Sequence, residues 1–556
     1  MISSEERISP EEPLSGTAGM FIVCGFFILC LFGTLGLLSL RTLDSHECFV
    51  SVTAREMVKN HDWLFPTCNG QPRLNKTPLS YWLVAAFSLV TGKIDAFTAR
   101  FPSAVFGFLS VSCIYLYIKQ WFYPRVALIS GAVWLTTLGL FRYSHSARPE
   151  MALTFFVLVC YLSFYDAIIS PTRKRQIISM LIFWVSLGLG MLAKGPAPIA
   201  YVFVPLFVYI FLFRKWKTIP KLLPLVGPVL FLLIVLPWPL YIGSKIHWNL
   251  TLWRQEYVER LTGDYVPGHL PFYCYLLMMF KFITPWAAFL PMALICPFYS
   301  VWKEKQPLMK YLWICFVAVF VFLTLDQGKR QHYILPIMPT TAILIGILLE
   351  EMIFQKEAFS RLFSANVLRY HAIILAGGSI IAYGVVAIIS PPLGLRVLTL
   401  SLFMIFLVAV TVQLFRKQKP GYATCLIFTG IIFWCLLAKA FLEPQLDTDK
   451  YARNVAVEVA RRVPPSETVV AFQSASSRFV QYYGKTIPIV SDETALKEIY
   501  EKGGWIFCNL EKLEAIKKYG PFDVVYSETE IADTRVKKRD YGGALFHKAS
   551  PATKRN

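Results

Sequence analysis

Apolar residues occupy long, nearly unbroken stretches of this chain. A helix needs about 20 such residues to cross the hydrocarbon core of a bilayer. Stretches of that kind lie near 19–41, 99–119, 124–142, 150–169, 176–193, 197–213, 222–243, 272–299, 311–326, 333–351, 371–390, 394–415 and 421–442. The pattern predicts about thirteen membrane-spanning helices. The apolar run 78–92 is too short to span and predicts an interfacial or re-entrant helix. From about residue 446 the long runs stop. DTDKYARNVAVEVARRV, 447–463, predicts an amphipathic helix opened by Asp. ETVVAFQ, KTIPIV, GWIFCNL and FDVVYS predict short strands between helical patches. The expected fold class is therefore an α-helical polytopic membrane protein, 1–445, with a small soluble α/β domain, 446–556. The tail KASPATKRN is expected to be disordered.

Charge in the loops sets the expected orientation. Arg173-Lys174-Arg175, Arg214-Lys215 with Lys217 and Lys221, Lys303 with Lys305 and Lys310, and Arg416-Lys417 with Lys419 fall in alternate connections. The positive-inside rule makes these cytoplasmic. The long segments 42–98 and 244–271 then face outward, with short connections at 142–149, 194–196 and 327–332. An odd number of spans places the N-terminus inside and the C-terminal domain outside.

Composition agrees with a bilayer as solvent. The 556 residues are 56% hydrophobic and 16% charged, against about 25% charged in a soluble domain. The net charge of +20 reflects basic loops facing anionic lipids, so membrane lipids and not nucleic acid are the expected partners. The twelve Cys show no metal-ligand spacing. Cys48 and Cys68 share an outer loop and either pair or remain thiols. Glu5, Glu6, Glu11 and Glu12 precede the first apolar run where a cleaved leader would carry basic residues, so the first helix is expected to be kept.

Ionisable residues gather at the outer ends of the spans. The first outer loop carries Asp44, His46, Glu47, Arg55, Glu56, Arg73, Asn75 and Lys76. Arg142, His145, Arg148 and Glu150 follow, then Lys194 in a Lys-Gly-Pro turn. The long fourth loop carries Arg254, Glu256, Glu259, Arg260, Asp264 and His269, and the fifth connection Asp326, Lys329, Arg330, His332 and Tyr333. Charges at membrane depth are costly and usually mark function. Lys and Arg here suit a lipid-linked phosphate, and carboxylates beside them suit a general base or recognition of hydroxyl or amino groups. A phosphate leaving group needs positive charge rather than a general acid. Each has a plainer reading. Arg55-Glu56 suits a solvated helix face, Lys76 can snorkel, Glu150 suits a helix N-terminus, and His269 and His332 read as surface histidines before metal ligands.

At these residues the chain resembles the membrane glycosyltransferases of the C superfamily, in particular the lipid A aminoarabinose transferases and the bacterial protein-mannosyltransferase-like group. The carrying blocks are HECFVSVTAREMVKNHDWLFPTCNGQPRLNKTPLSYWLVAAFSLVTG at 46–92, RFPSAVFGFLSV at 100–111, ARPEMALTFF at 147–156, AKGPAP at 193–198, YVERLTG at 257–263 and KRQHYILPIMP at 329–339. The resemblance implies a donor sugar on undecaprenyl phosphate or another polyprenyl phosphate. It implies transfer with inversion to an outer-leaflet acceptor, lipid A or another envelope glycolipid. It makes Lys76, Lys194, Arg260, Tyr333 and Arg148 the donor-phosphate residues, and Glu47, Glu150, His46 and Asp44 the catalytic candidates. Tyr81, His269, Lys329 and Arg330 complete the substrate-binding set. His46 stands where the family has the first Asp of an Asp-Glu pair. Asn75 replaces a Glu, and Gln255 a His, that hold a divalent metal in the aminoarabinose transferases. No cofactor is expected to be required, and a metal site would depart from that pair. Alternatives are a protein O-mannosyltransferase of the same fold, a lipid or sugar transporter, or a non-catalytic assembly protein.

Overall fold

A computed structural model describes residues 35–246, 254, 270–299, 302, 305–356, 358–509, 523–527 and 543–547. Among these, eight helices are long and apolar enough to cross a bilayer: Ala96–Trp121, Glu150–Ile169, Arg173–Lys194, Gln306–Leu325, Gln331–Gln355, Arg361–Ile389, Leu393–Arg416 and Pro420–Leu446. Three bent helix pairs, each a broken span or a re-entrant loop, are Pro124–Leu135 with Leu138–Ser144, Trp216–Leu222 with Val226–Val235, and Cys274–Ile283 with Trp286–Phe298. Ala197–Leu212 is apolar but has 16 residues. The expected span 19–41 lies almost wholly outside the described residues. Helix Glu150–Ile169 runs through the interior, with 83% of its apolar window buried, whereas Arg361–Ile389 at the periphery buries none.

The bends correct the expectation of continuous helices at 124–142, 222–243 and 272–299. At the first bend, the Thr136 and Thr137 hydroxyls donate to the carbonyls of Ala132 (2.7 Å) and Trp134 (2.8 Å). Thr137 then caps the next helix through the Leu140 N–H. Such side-chain bonds compete with the helical ladder. The Leu138 N–H donates 2.8 Å to the carbonyl of Thr284, so this bend bonds directly to the one at 284–286. In the middle stretch, Pro237 restarts the helix as Pro237–Lys245.

The first loop, 42–98, is ordered by local chemistry. Asp44 caps helix Ser45–Asn60, accepting from the His46 and Glu47 N–H groups, while Glu47 accepts from the Asp44 N–H. This reciprocal capping box satisfies donors that a helix start leaves open. A two-strand hairpin follows, β1 (Thr67–Cys68) against β2 (Gln71–Pro72), turned by Asn69 and Gly70 at φ 55° and 74°. The apolar helix Leu79–Thr91 is the expected short one.

The soluble domain opens with helix Lys450–Arg462. Its five-stranded sheet contains β3 (Val469–Phe472), β4 (Ile489–Val490), β5 (Trp505–Asn509), β6 (Asp523–Ser527) and β7 (Gly543–His547) in the order β4-β3-β5-β7-β6. β3 runs parallel to β4 and β5, and β7 antiparallel to β5 and β6. β7 was not expected from the sequence, and the tail KASPATKRN lies outside the described residues.

This domain is welded to the first loop. Val52 of the loop helix packs into the domain's core with Val455, Val459, Phe479 and Phe507. Thr42 donates to Asp447 through both its N–H (2.8 Å) and its hydroxyl (2.6 Å). The Leu43 N–H donates to the Tyr482 hydroxyl, and Asn69 exchanges two hydrogen bonds with the Ile487 backbone. Arg55 donates to the carbonyls of Gln481 and Val480 at 2.8 and 2.9 Å. Glu56 is buried and accepts from the Thr67 hydroxyl and the Gly70 N–H. Arg55-Glu56 is therefore not a solvated face. One residue clamps the domain and the other holds the hairpin turn. Cys48 and Cys68 are both free thiols.

Candidate active site

A cleft of about 540 Å³ opens where ends of several spans meet the first loop. It gathers eight of the residues expected from the sequence: His46, Lys76, Tyr81, Arg148, Glu150, Lys194, Arg330 and Tyr333. They come from five separate segments. Arg73, Asp326 and His332 line it as well. Five Lys or Arg side chains thus face two carboxylates. Arg260 and His269 lie outside the described residues.

Glu150 lines it and is 5% exposed. Pro149 precedes it and starts its helix. Its Oε1 lies 3.1 Å from Lys194 Nζ and 3.3 Å from His332 Nε2. Its Oε2 is buried and has no hydrogen-bond partner among the described residues. A buried carboxylate oxygen left open costs free energy unless a ligand fills it. Lys194 is held at the end of its helix by Gly195, whose φ of 63° and ψ of −149° favour glycine. The Gly195 N–H also donates to the Thr77 hydroxyl, tying this turn to the segment carrying Lys76. Lys194 Nζ stands 5.3 Å over the Tyr333 ring. Tyr81 receives a hydrogen bond from Arg73, whose guanidinium lies 4.1 Å over Phe49.

Two catalytic candidates are placed otherwise. Glu47 is fully buried and does not line the cleft. Arg100 grips it with two bonds of 2.8 and 2.7 Å, and it accepts from the backbone N–H groups of Ala147 and Asp44, each at 2.9 Å. Burial alone would raise its carboxyl, but the Arg100 guanidinium, with Arg41 beyond, holds it well below the usual carboxylate range. With its lone pairs taken, Glu47 braces the loop and cannot meet a substrate. Asp44 caps the helix and bonds Arg148 at 2.7 Å, so it acts behind the cleft as well. Lys329 turns back to the Asp326 carbonyl and does not line the cleft. His46 is exposed at the rim. Partial burial, with the Arg148 guanidinium close by, pushes its imidazole below the ordinary value, so it is neutral at neutral pH.

Sequence reasoning gave no role to Arg100 and took His332 for a surface residue. Arg100 lies inside a span, where a charge needs a partner, and that was the available signal. Asp326 is 8% exposed, and burial pushes its carboxyl above the ordinary value, offset in part by the Gly328 N–H and Lys329. Among the described residues no group of three or more His, Cys, Asp or Glu stands where it could hold a metal ion.

Comparison with known proteins gives three findings. The family model for dolichyl-phosphate-mannose-protein mannosyltransferase matches residues 75–241. The chain is 27% identical over 300 residues to an undecaprenyl phosphate-alpha-4-amino-4-deoxy-L-arabinose arabinosyl transferase of Proteus mirabilis, covering 53% of each chain. A transferase of the same description from Pseudomonas paraeruginosa is 25% identical over 335 residues, 58% of this chain and 60% of that protein. The alignments thus span little more than half the length of these relatives. The crystal structure of ArnT from Cupriavidus metallidurans bound to undecaprenyl phosphate superposes with a TM-score of 0.83 at 19% identity, over 97% of this chain and 100% of that one. The chain has that fold, transmembrane helices and soluble domain together.

Proposed function

We propose that this protein is an inverting membrane glycosyltransferase that moves a sugar from undecaprenyl phosphate to lipid A or another envelope glycolipid at the periplasmic face. The observation that carries the reading is the cleft itself, lined by five cationic side chains and by Glu150 with its open Oε2. The named activity of its relatives and the lipid bound to ArnT support the choice of donor. Lys76, Lys194, Arg148 and Arg330, with Tyr333, would cradle the donor phosphate, and Arg260 would join them from the fourth loop. Tyr81 would line the sugar end of the cleft, and His269 would approach it from the fourth loop.

The acceptor oxygen attacks the anomeric carbon as the carbon–oxygen bond to phosphate breaks. The electron pair leaves on undecaprenyl phosphate, where the cations stabilise the growing charge. A hydroxyl acceptor gives its proton to Glu150 Oε2. A phosphate acceptor needs no base, and Glu150 then accepts a hydrogen bond from the sugar. This chemistry asks nothing of a metal.

Lipid A and the polyprenyl-phosphate pool are compared by mass spectrometry in cells with and without the gene. Loss of one sugar from lipid A, with its polyprenyl-linked form accumulating, is the expected result. Accumulation with unchanged lipid A would move the acceptor to another envelope glycan or to protein, the latter being the reading that the mannosyltransferase match favours. No change in either pool would overturn the proposal.

A further inference from the structure

Asp326 ends the helix Gln306–Leu325 and lines the cleft. Its Oδ1 accepts the Gly328 N–H at 2.9 Å, which pins the side chain across its own turn. Its backbone is fastened too: the N–H donates to the Phe322 carbonyl at 3.2 Å, and the carbonyl accepts from Lys329 Nζ. The carboxylate is therefore held in place before any ligand arrives. Among the described residues its Oδ2 accepts no hydrogen bond, and no Lys, Arg or His stands within ion-pair distance of it. Tyr201 and Tyr275 lie close enough to sense its charge, but neither bonds it. The Tyr201 hydroxyl donates to the Tyr333 carbonyl, and the Tyr275 hydroxyl accepts from the Arg330 N–H at 3.2 Å.

Glu150 has Lys194 as its counter-ion, whereas Asp326 has none. Burial disfavours its charged form, and a buried carboxylate oxygen without a donor costs free energy until one reaches it. A polyprenyl-phosphate sugar has three parts. The polyprenyl chain has no polar group, and the phosphate is an anion that a carboxylate repels. Only the sugar brings hydrogen-bond donors. Arg330 and Tyr333, placed at the phosphate above, lie four and seven residues beyond Asp326 on the same segment, and one bond joins that phosphate to the sugar. We propose that Asp326 is a specificity-determining residue whose Oδ2 takes a hydroxyl or ammonium group of the transferred sugar. This inference rests on the glycosyltransferase reading above and adds to it a residue that selects the sugar.

The test titrates three lipids into full-length protein in nanodiscs: undecaprenyl phosphate alone, the same lipid carrying an aminopentose, and the same lipid carrying a neutral hexose. D326A is expected to weaken the better-bound sugar lipid roughly 10- to 100-fold, the scale of one hydrogen bond to a charged group. Undecaprenyl phosphate alone should stay within about twofold, since it brings no donor to Oδ2. If D326A does not fold, D326S carries the comparison, because a Ser hydroxyl can still accept the Gly328 N–H but removes the open oxygen. D326N keeps an oxygen and loses the charge. Tight binding retained in D326N identifies a hydroxyl partner, and binding lost there as in D326A identifies an ammonium; either upholds the inference once D326A or D326S has shown the loss. Unchanged binding of every lipid in those variants, or equal losses with and without the sugar, would overturn it and leave the transferase standing. A loss confined to the KM of the acceptor would overturn it as well. A wild-type protein without transfer from any polyprenyl-phosphate sugar would sink both.

Discussion

Replacing Glu47 by Gln separates a brace from a catalyst. The substitution keeps shape and removes one charge from a pair in which both side chains are at most 2% exposed. Breaking a buried ion pair at one end costs about 3–5 kcal/mol, because the other charge stays buried without its partner. Arg100 keeps three carbonyl acceptors, on Leu38, Arg41 and Thr42. The lower end, about 3 kcal/mol, is therefore expected, a shift of roughly 150-fold in the folding equilibrium. The new amide also turns N–H groups toward donors that now point at Glu47. Thermal unfolding in detergent, followed by tryptophan fluorescence, should show E47Q melting several degrees lower, with transfer lost in parallel. Acid adds a second signature. The carboxyl is held below its unfolded value, so its contribution is present above the ordinary carboxylate range and disappears as pH falls through it. Wild type should lose stability steeply below about pH 4.5, and E47Q less so. An E47Q protein that melts like wild type yet transfers no sugar would refute the reasoning and return Glu47 to the chemistry.

Lys76→Met should weaken binding of undecaprenyl phosphate roughly 10- to 100-fold while leaving the melt unchanged, as read by lipid titration in nanodiscs. Arg55→Ala leaves two carbonyls of the soluble domain without their donor and should cost about 2 kcal/mol. Limited proteolysis should then release the domain near residues 447–449 faster than in wild type. Transfer should persist in excess EDTA, and loss of the rate, restored by one divalent ion, would contradict the metal-independent chemistry.

Much of this was legible in the sequence. Hydropathy marks the spans because an apolar helix has nowhere else to go in lipid. The gathering of Lys76, Arg148, Glu150, Lys194 and Tyr333 followed from polar residues at one end of many helices. The bends were not legible, because Thr136 and Thr137 read as ordinary helix residues until their hydroxyls turn inward. The capping box spelled by Asp44-Ser45-His46-Glu47 was legible and would have marked Glu47 as a brace of the helix start. The burial of Arg55 could not be read locally, since its partners lie 425 and 426 residues away. Sequence separation likewise hides the approach of His332 Nε2 to within 3.3 Å of Glu150 Oε1.

The weld between the first loop and the soluble domain also sets an order of assembly. Thr42 and Asp447 are 405 residues apart, and Leu43 waits for Tyr482 across 439. At synthesis rates of about 5–20 residues per second, the first loop emerges tens of seconds before its partner exists. Over that interval helix Ser45–Asn60 has its capping box but no surface to bury Val52 against. The first loop can gain these contacts only when the last part of the chain has been made and delivered to the same side of the membrane. A nascent chain stopped short of the soluble domain would therefore hold every cleft residue while the first loop still lacked its partners.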